Sequence, residues 1–389
     1  MVRFVAERQH PGIGRVSNKL SAMHPSFAPI LQRLIQIRDE KGMSQDEVDD
    51  RLGQPHGWIE SYEVGNRDLT LEALATLLHA YDSDFSQLFA NLSIDLSAIT
   101  HNEALALSQS GSSLVLSFMH GRFPATVEIP NATVEQANGL LRDFKSDLRS
   151  GKKSPAVSRL MLGAAALWPN ANPSDLWLFF VHHSYLNRAN HPGATNADLE
   201  QSWKRTGGWA LEDVFVRHYN PALAPHGIEL AMLKKTEVLR LLTDAGVRSH
   251  SAAEKADVLM LGKRNGHNVA FGVVHVKASF AERRTDDEPL SRELMALGLG
   301  SVLITMDSKA TPSATPVNKG ELGGEASGGS KRLDIEREGM FQACFSYNAR
   351  TIPTRTGADV VARIDTLNLN DPNDAFTRFV VDTWAAQSS

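Results

Sequence analysis

Residues 255–277, KADVLMLGKRNGHNVAFGVVHVK, constrain the fold more than any other stretch of the chain. An acidic residue, Asp257, opens one apolar strand, and a second apolar strand, Asn268 to Lys277, ends in lysine. The segment Lys263-Arg264-Asn265-Gly266 makes the turn between them. The 20 residues that separate Asp257 from Lys277 suit two neighbouring strands, so both side chains are expected at one end of a sheet. From about Asn172 onward the chain keeps alternating helices with short apolar strands, the pattern of an α/β core.

A carboxylate and a lysine at adjacent strand ends suggest a definite chemistry. Hydrolysis of a phosphodiester needs metal-held water, in-line geometry and positive charge where the phosphorus oxygens become more negative. Asp257 can hold the metal, and Lys277 can orient or deprotonate the attacking water and stabilise the transition state. The arrangement resembles the PD-(D/E)XK nuclease pattern, which in its simplest form carries a second carboxylate two residues before the lysine; here that position is His275.

The rest of the chain sets bounds. At 389 residues it exceeds one ordinary core and predicts two or three domains. Apolar content of 42% and charged content of 22% are those of a globular protein, and no apolar run is long enough for a membrane helix. The N-terminal stretch MVRFVAERQHPGIGRVSNKL is charged throughout and lacks the apolar core of a secretion signal. The single cysteine, Cys344, agrees with a reducing cytoplasm, the expected location. A net charge of −5 does not advertise nucleic-acid binding, so local charge has to carry that argument.

Four segments follow: a tail at 1–25, an all-α unit at 26–90, a small α/β linking subdomain at 91–170, and the mixed-sheet core at 171–389. In the second, Ile30, Leu31, Leu34 and Ile37 have helical spacing, Gly42 ends that helix, and Ser44-Gln45-Asp46-Glu47 forms a capping box for the next. Gly53 makes a tight turn before a helix with Trp58, Ile59 and Tyr62, and Leu71, Leu74, Leu77 and Leu78 continue the pattern. Over residues 27–90 there are 5 Lys/Arg against 12 Asp/Glu, a balance of −7 that leaves few phosphates to be neutralised. In the third segment, Ser112 to Ser117 and Ala125 to Ile129 alternate like a hairpin, and Val134 to Leu148 has helical spacing. The run Gly151-Lys152-Lys153-Ser154 is expected to be a solvated linker, and the polar stretch around Gly323-Gly324 and Gly328-Gly329 a long loop after a core strand.

Two resemblances sharpen these readings. IRDEKGMSQDEVDDRLGQPHGWIESYEVGNRDLTLEALATLLHAYD resembles the helix-turn-helix family of phage repressors and restriction controller proteins. That likeness implies that Gln45 touches a phosphate and that Gln54, His56, Gly57 and Ser61 face the major groove of double-stranded DNA. QSWKRTGGWALEDVFVRHYNPAL, KADVLML and GVVHVKASFAERRTDDEPLS resemble the BsaWI-like branch of the CCGG-recognising PD-(D/E)XK restriction endonucleases. By that resemblance the missing carboxylate moves to the following helix, Pro289 to Leu297, where Glu293 becomes the second Mg²⁺ ligand beside Asp257. Glu212, one turn into a helix opened by Thr206-Gly207-Gly208, becomes a further catalytic acid. Within Glu282-Arg283-Arg284-Thr285-Asp286-Asp287, the arginines can bridge guanine O6 and N7 and the aspartates can accept from cytosine N4.

The expected protein is thus an α+β, Mg²⁺-dependent type II restriction endonuclease. It would cut a palindromic, CCGG-centred duplex site as a homodimer and leave 5′-phosphate and 3′-hydroxyl ends. A cognate DNA methyltransferase would act in the same system without being a stable subunit. The alternatives are a helix-turn-helix transcriptional regulator and a nuclease for modified or branched DNA.

Overall fold

The strand pair expected at 255–277 forms the second and third strands of the six-stranded sheet. The structure, a computed structural model, describes residues 28–64, 67, 69–90, 92, 105–120, 123–191, 198–249, 253–279, 284–311, 314, 316–323 and 330–388. They fall into two compact units, one made by the N-terminal helices and the other by residues 105–118 and 125–388. Among the described residues no helix is long and apolar enough to cross a membrane.

The first unit holds α1 (Ala28–Glu40), α2 (Gln45–Arg51), α3 (Trp58–Glu63), α4 (Leu71–Ala80) and α5 (Phe85–Phe89). Leu34, Ile37, Val48, Ile59, Leu77 and Leu78 form its core. The predicted capping box is present: the Ser44 hydroxyl accepts from the Glu47 amide, and the Glu47 carboxylate accepts from the Ser44 amide at 2.7 Å. Asp49 is buried because it fixes the turn between α2 and α3, accepting from the backbone N–H of Gly57 at 2.8 Å and of Ile59 at 2.9 Å. Gly57 sits at φ +89°, a conformation that glycine adopts without steric cost.

The second unit opens with a three-stranded antiparallel meander, β1 (Ala106–Ser110), β2 (Ser113–His120) and β3 (Phe123–Pro130). Two helices follow, α6 (Val134–Arg149) and α7 (Lys153–Leu167). The sequence reading separates residues 91–170 from the mixed-sheet core, but here Leu114, Leu116, Phe144, Val157 and Met161 share one apolar cluster with Phe215, Val274 and Ile304. Their inward faces are too apolar to be left in water, so the segment completes the larger core instead of standing as a linking subdomain. The Lys152-Lys153 run is the turn into α7, with Gly151 at φ +78°.

Beyond α8 (Pro173–Asp175), a π-helical turn (Leu176–Val181) and α9 (His182–Leu186) lies α10 (Leu199–Leu223). Then come β4 (Ile228–Ala231), α11 (Lys235–Asp244), β5 (Val258–Arg264), β6 (His267–Lys277), α12 (Arg284–Ala296) and β7 (Gly300–Thr305). The chain closes with α13 (Ser330–Glu336), β8 (Ala343–Ser346), β9 (Arg363–Thr366) and α14 (Ala375–Ser388). Strands β4 to β9 make one six-stranded sheet in chain order, antiparallel from β4 to β6 and parallel from β6 to β9. The β5–β6 turn places Asn265 and Gly266 at φ +51° and +80°, as a two-residue hairpin requires. Residues 324–329 of the expected glycine-rich loop lie outside the described residues.

Register decides which face of the sheet each side chain joins. A bulge in β6 opposite Met260/Leu261 puts Phe271, Val274 and Val276 on the face packed with α7, α10 and α14. Val273 lies on the opposite face with α11 and α12, so by alternation His275 and Lys277 belong there too. The parallel β6–β7 pair is close because both strands carry glycine where they cross, Gly272 against Gly300. A Cβ at Gly272 would collide with the Met260 side chain and the Gly300 backbone. Gly272→Ala is therefore expected to destabilise the second unit by about 3 kcal/mol, a loss to be read from thermal unfolding of the full chain; an unchanged melting temperature would mean that the strands can part without cost.

Candidate active site

The antiparallel pairing of Val258 with Val274 brings the start of β5 alongside the end of β6. Asp257, one residue ahead of β5, accepts through Oδ2 from the Val276 amide at 2.9 Å and from Lys277 Nζ at 2.7 Å. On its other side the lysine meets Asp287 Oδ2 at 3.1 Å. Its backbone is held from β7's extension, since the Met306 amide donates to the Lys277 carbonyl at 3.1 Å and the Ser308 amide to the Ala278 carbonyl at 3.0 Å. Burial alone would lower the lysine's pKa, but the two flanking carboxylates outweigh it and hold the pKa above its usual value. The ammonium is therefore charged.

Glu212 comes from α10, which packs against β6. The helix starts at Leu199, capped by Asp198, and runs through Gly207-Gly208, so Glu212 is not in a first turn as the sequence reading has it but in the helix interior. It lines the same cavity as Asp257, Lys277 and Asp287, a space of about 790 Å³. Burial, reinforced by the charge of Asp257 and partly offset by Lys277, pushes the Glu212 carboxyl up to about 8. Lys234, Lys235 and Lys255 belong to the same cavity lining and bring positive charge to it.

The structure corrects two of the sequence-based assignments. Glu293, expected as a metal ligand, does not line this cavity: its carboxylate accepts from the Arg248 amide at 2.6 Å and the Ser249 amide at 3.3 Å. Helix phase explains this. Asp287, Leu290, Ser291 and Leu294 are buried at the i, i+3, i+4, i+7 spacing of one helical stripe, and Glu293 falls off it. The helix begins at Arg284 and not at Pro289, which places Asp287 in its first turn, nearest the end of β6. Asp287, expected to read bases, is instead buried against Lys277 and 3.9 Å from the His275 ring. The clue in the sequence was its distance of ten residues from Lys277 at the start of an amphipathic helix. His275 is fully buried, and burial pushes the imidazole pKa below its usual value.

Of the other expected DNA contacts, Arg283 and the side chains of Arg284 and Asp286 lie outside the described residues. In the helix-turn-helix unit Gln54 is exposed. Gln45 is turned inward, donating to Glu63 at 2.6 Å beside the buried Arg38–Glu63 pair. The Ser61 hydroxyl donates to the Trp58 carbonyl, and the His56 ring lies 2.8 Å from Asp46 and 3.6 Å from Asp50. Gln45 and Ser61 thus bond within the unit and His56 lies among carboxylates, in a region whose net charge is −7.

The raised pKa of Glu212 gives a test of the site's electrostatics. Between its ordinary value of 4.5 and about 8 the folded protein holds a proton that the unfolded chain releases, so this group's contribution is complete at low pH and is lost as pH rises. In the presence of a chelator, Glu212→Gln should raise stability at pH 8 by on the order of 2 kcal/mol and leave it unchanged at pH 4. Thermal melts at both pH values check this, and an equal effect at both would exclude ionisation as the cause.

Comparison with known proteins places this geometry. Residues 34–88 match the helix-turn-helix family model. The type II restriction enzyme AgeI of Thalassovita gelatinovora is 39% identical over 238 residues, 59% of this chain and 84% of that protein. The crystal structure of a specific AgeI–DNA complex superposes with a TM-score of 0.63 at 35% identity, covering 69% of this chain and 99% of that one. A pre-specific BsaWI–DNA complex aligns over 65% of this chain and 93% of that one, with a TM-score of 0.33 and 16% identity. At the identity and coverage found with AgeI, this chain belongs to the family of that type II restriction enzyme, and it carries a helix-turn-helix domain as well.

Proposed function

We propose that the protein hydrolyses double-stranded DNA at a short palindromic, CCGG-centred site with Mg²⁺, leaving 5′-phosphate and 3′-hydroxyl ends, and that it acts as a homodimer. The observation that carries the chemistry is Lys277 Nζ held between Asp257 at 2.7 Å and Asp287 at 3.1 Å in a cavity that also contains Glu212. The donor set fits a hard divalent cation, which takes oxygen ligands. Five carboxyl groups line the cavity, Glu212, Asp213, Glu254, Asp257 and Asp287, and Glu212 is held protonated by burial and, second, by the charge of Asp257, a state that a bound cation would reverse. Asp257, Asp287 and Glu212 would hold the metal. Bound there, it would supply a water of lowered pKa and neutralise charge on the phosphate.

The protein's own contribution follows from the geometry. Because its flanking carboxylates keep it charged, Lys277 acts as a donor to a non-bridging phosphate oxygen and not as a base. The attacking water forms the new P–O bond and gives up a proton to bulk water, the bond to the 3′ oxygen breaks, and that oxygen takes a proton from solvent and leaves as the hydroxyl. Base choice is assigned to Arg283, Arg284 and Asp286, ahead of and within the first turn of α12 and a few residues from Asp287. A palindrome presents the same site to each strand, which a two-fold dimer matches.

Lys277→Ala, Asp257→Ala and Asp287→Asn are each expected to lower plasmid cleavage in Mg²⁺ at least about 100-fold while gel-shift binding remains measurable. Glu293→Gln should cut at nearly the wild-type rate, and loss of cleavage in that variant would restore Glu293 to the site. Arg284→Ala and Asp286→Ala should each cost roughly 1–3 kcal/mol of affinity on the cognate duplex with little change on random DNA. Equal weakening on both, measured by titration, would mark these residues as phosphate contacts.

A further inference from the structure

An aromatic side chain at the catalytic cavity has no role in the scheme above. Trp209 lies on α10 one turn before Glu212 and lines the same cavity. The helix that supplies it is otherwise well buried on the sheet side, with Ala210, Leu211, Val214 and Phe215 in the core. Trp168 and Trp177 are 1% and 3% exposed, whereas Trp209 is 54% exposed, the highest value for a tryptophan among the described residues. The Arg205 guanidinium stands over its ring, 5.7 Å from the centroid. Across the cavity are Met232, itself 36% exposed, and the lysines Lys234 and Lys235. A large exposed indole is thus set into a charged cavity beside the proposed metal-holding carboxylates.

From this we infer that Trp209 is a positioning residue for the DNA strand being cut: its indole packs on the deoxyribose next to the scissile phosphate, with Arg205 directed at the neighbouring phosphate. The inference rests on the endonuclease reading and names how that site grips its substrate. Trp209 and Lys277 line one cavity, so a phosphodiester seated at Lys277 has its adjoining sugar in the space that the indole also lines. The sugar is the apolar part of the backbone and suits the indole face, whereas contact with a base face would first require unstacking the duplex. Arg205, pre-set against the ring, can meet a phosphate while the ring meets the sugar. Fixing the sugar fixes the direction of the P–O bond relative to the attacking water, and misplacements of about 1 Å in such geometry cost about 100-fold in rate.

The test uses the full-length wild-type protein, Trp209→Ala, Trp209→Phe and Arg205→Gln, with a short duplex carrying a site at which the wild type has been found to cut. With Ca²⁺ in place of Mg²⁺, the duplex should shield wild-type tryptophan fluorescence from acrylamide, and this protection should vanish in Trp209→Phe. In Mg²⁺, Trp209→Ala should lower the single-turnover rate about 100-fold with affinity little changed, and Trp209→Phe should recover most of that rate. Arg205→Gln should reduce the salt dependence of binding by about one phosphate contact. Undiminished cutting by Trp209→Ala, or acrylamide protection that persists in Trp209→Phe, would overturn the inference. Protection that appears without DNA and grows with protein concentration would also overturn it, by assigning Trp209 to contact between copies of the chain. A wild-type protein that cuts no DNA would instead sink the endonuclease reading beneath it.

Discussion

The site depends on one buried electrostatic arrangement, a lysine ammonium held by two carboxylates. Lys277 ends a strand whose other inward positions, His275 apart, are apolar, and without Asp257 and Asp287 burial would favour its neutral form. Asp257 has a second task, because its carboxylate also accepts from the Val276 amide and so helps tie the start of β5 to the end of β6. The same bonds that satisfy the lysine therefore fix where the lysine is. Glu212 is the counterpart: it lines the same cavity, and burial together with Asp257 keeps it protonated. The carboxylates and not the lysine are the groups expected to respond to a cation.

The surrounding fold holds that arrangement from both faces of the sheet. On one face α10 delivers Glu212, and on the other α12 delivers Asp287, so the strands between them set the separation of the acids. Gly272 and Gly300 let β6 and β7 approach closely, and the chain beyond β7 then hydrogen-bonds to the backbone at Lys277 and Ala278. Just past that point Asp307, at φ +44°, accepts from the Glu321 and Leu322 amides and from the Thr351 hydroxyl. Burial raises its pKa to about 6. This network ties the loop after β7 to the segment after β8, close in sequence to the backbone that clamps the lysine.

The helix-turn-helix unit shows a fold and a surface that do not argue alike. Its framework follows local rules: a capping box at Ser44, a buried Asp49 that satisfies two turn amides, and apolar residues at helical spacing. Its outer side chains are another matter, because Gln45 and Ser61 bond within the unit and His56 sits among carboxylates. Family resemblance predicts the backbone here, whereas the partners of a flexible polar side chain depend on which neighbours it finds.

The sequence by itself determined the features set by neighbours along the chain or by period. These include the strand–turn–strand at 255–277, the Asp257–Lys277 pairing that follows from it, the helical N-terminal unit, and the presence of a carboxylate on the helix after the lysine. Only the tertiary structure decided which carboxylate that is. Asp287 and Glu293 lie on one helix six residues apart, and a helix turns six residues through well over one revolution, so they face different directions. The choice was made by where α12 begins and which stripe it buries against β6 and β7, and both depend on packing partners distant in the chain. The same holds for Glu212, whose place in the interior of α10 and raised pKa come from burial against the sheet and from a charge 45 residues further on. Residue type can be read in one dimension, but direction and dielectric surroundings exist only once the layers have closed.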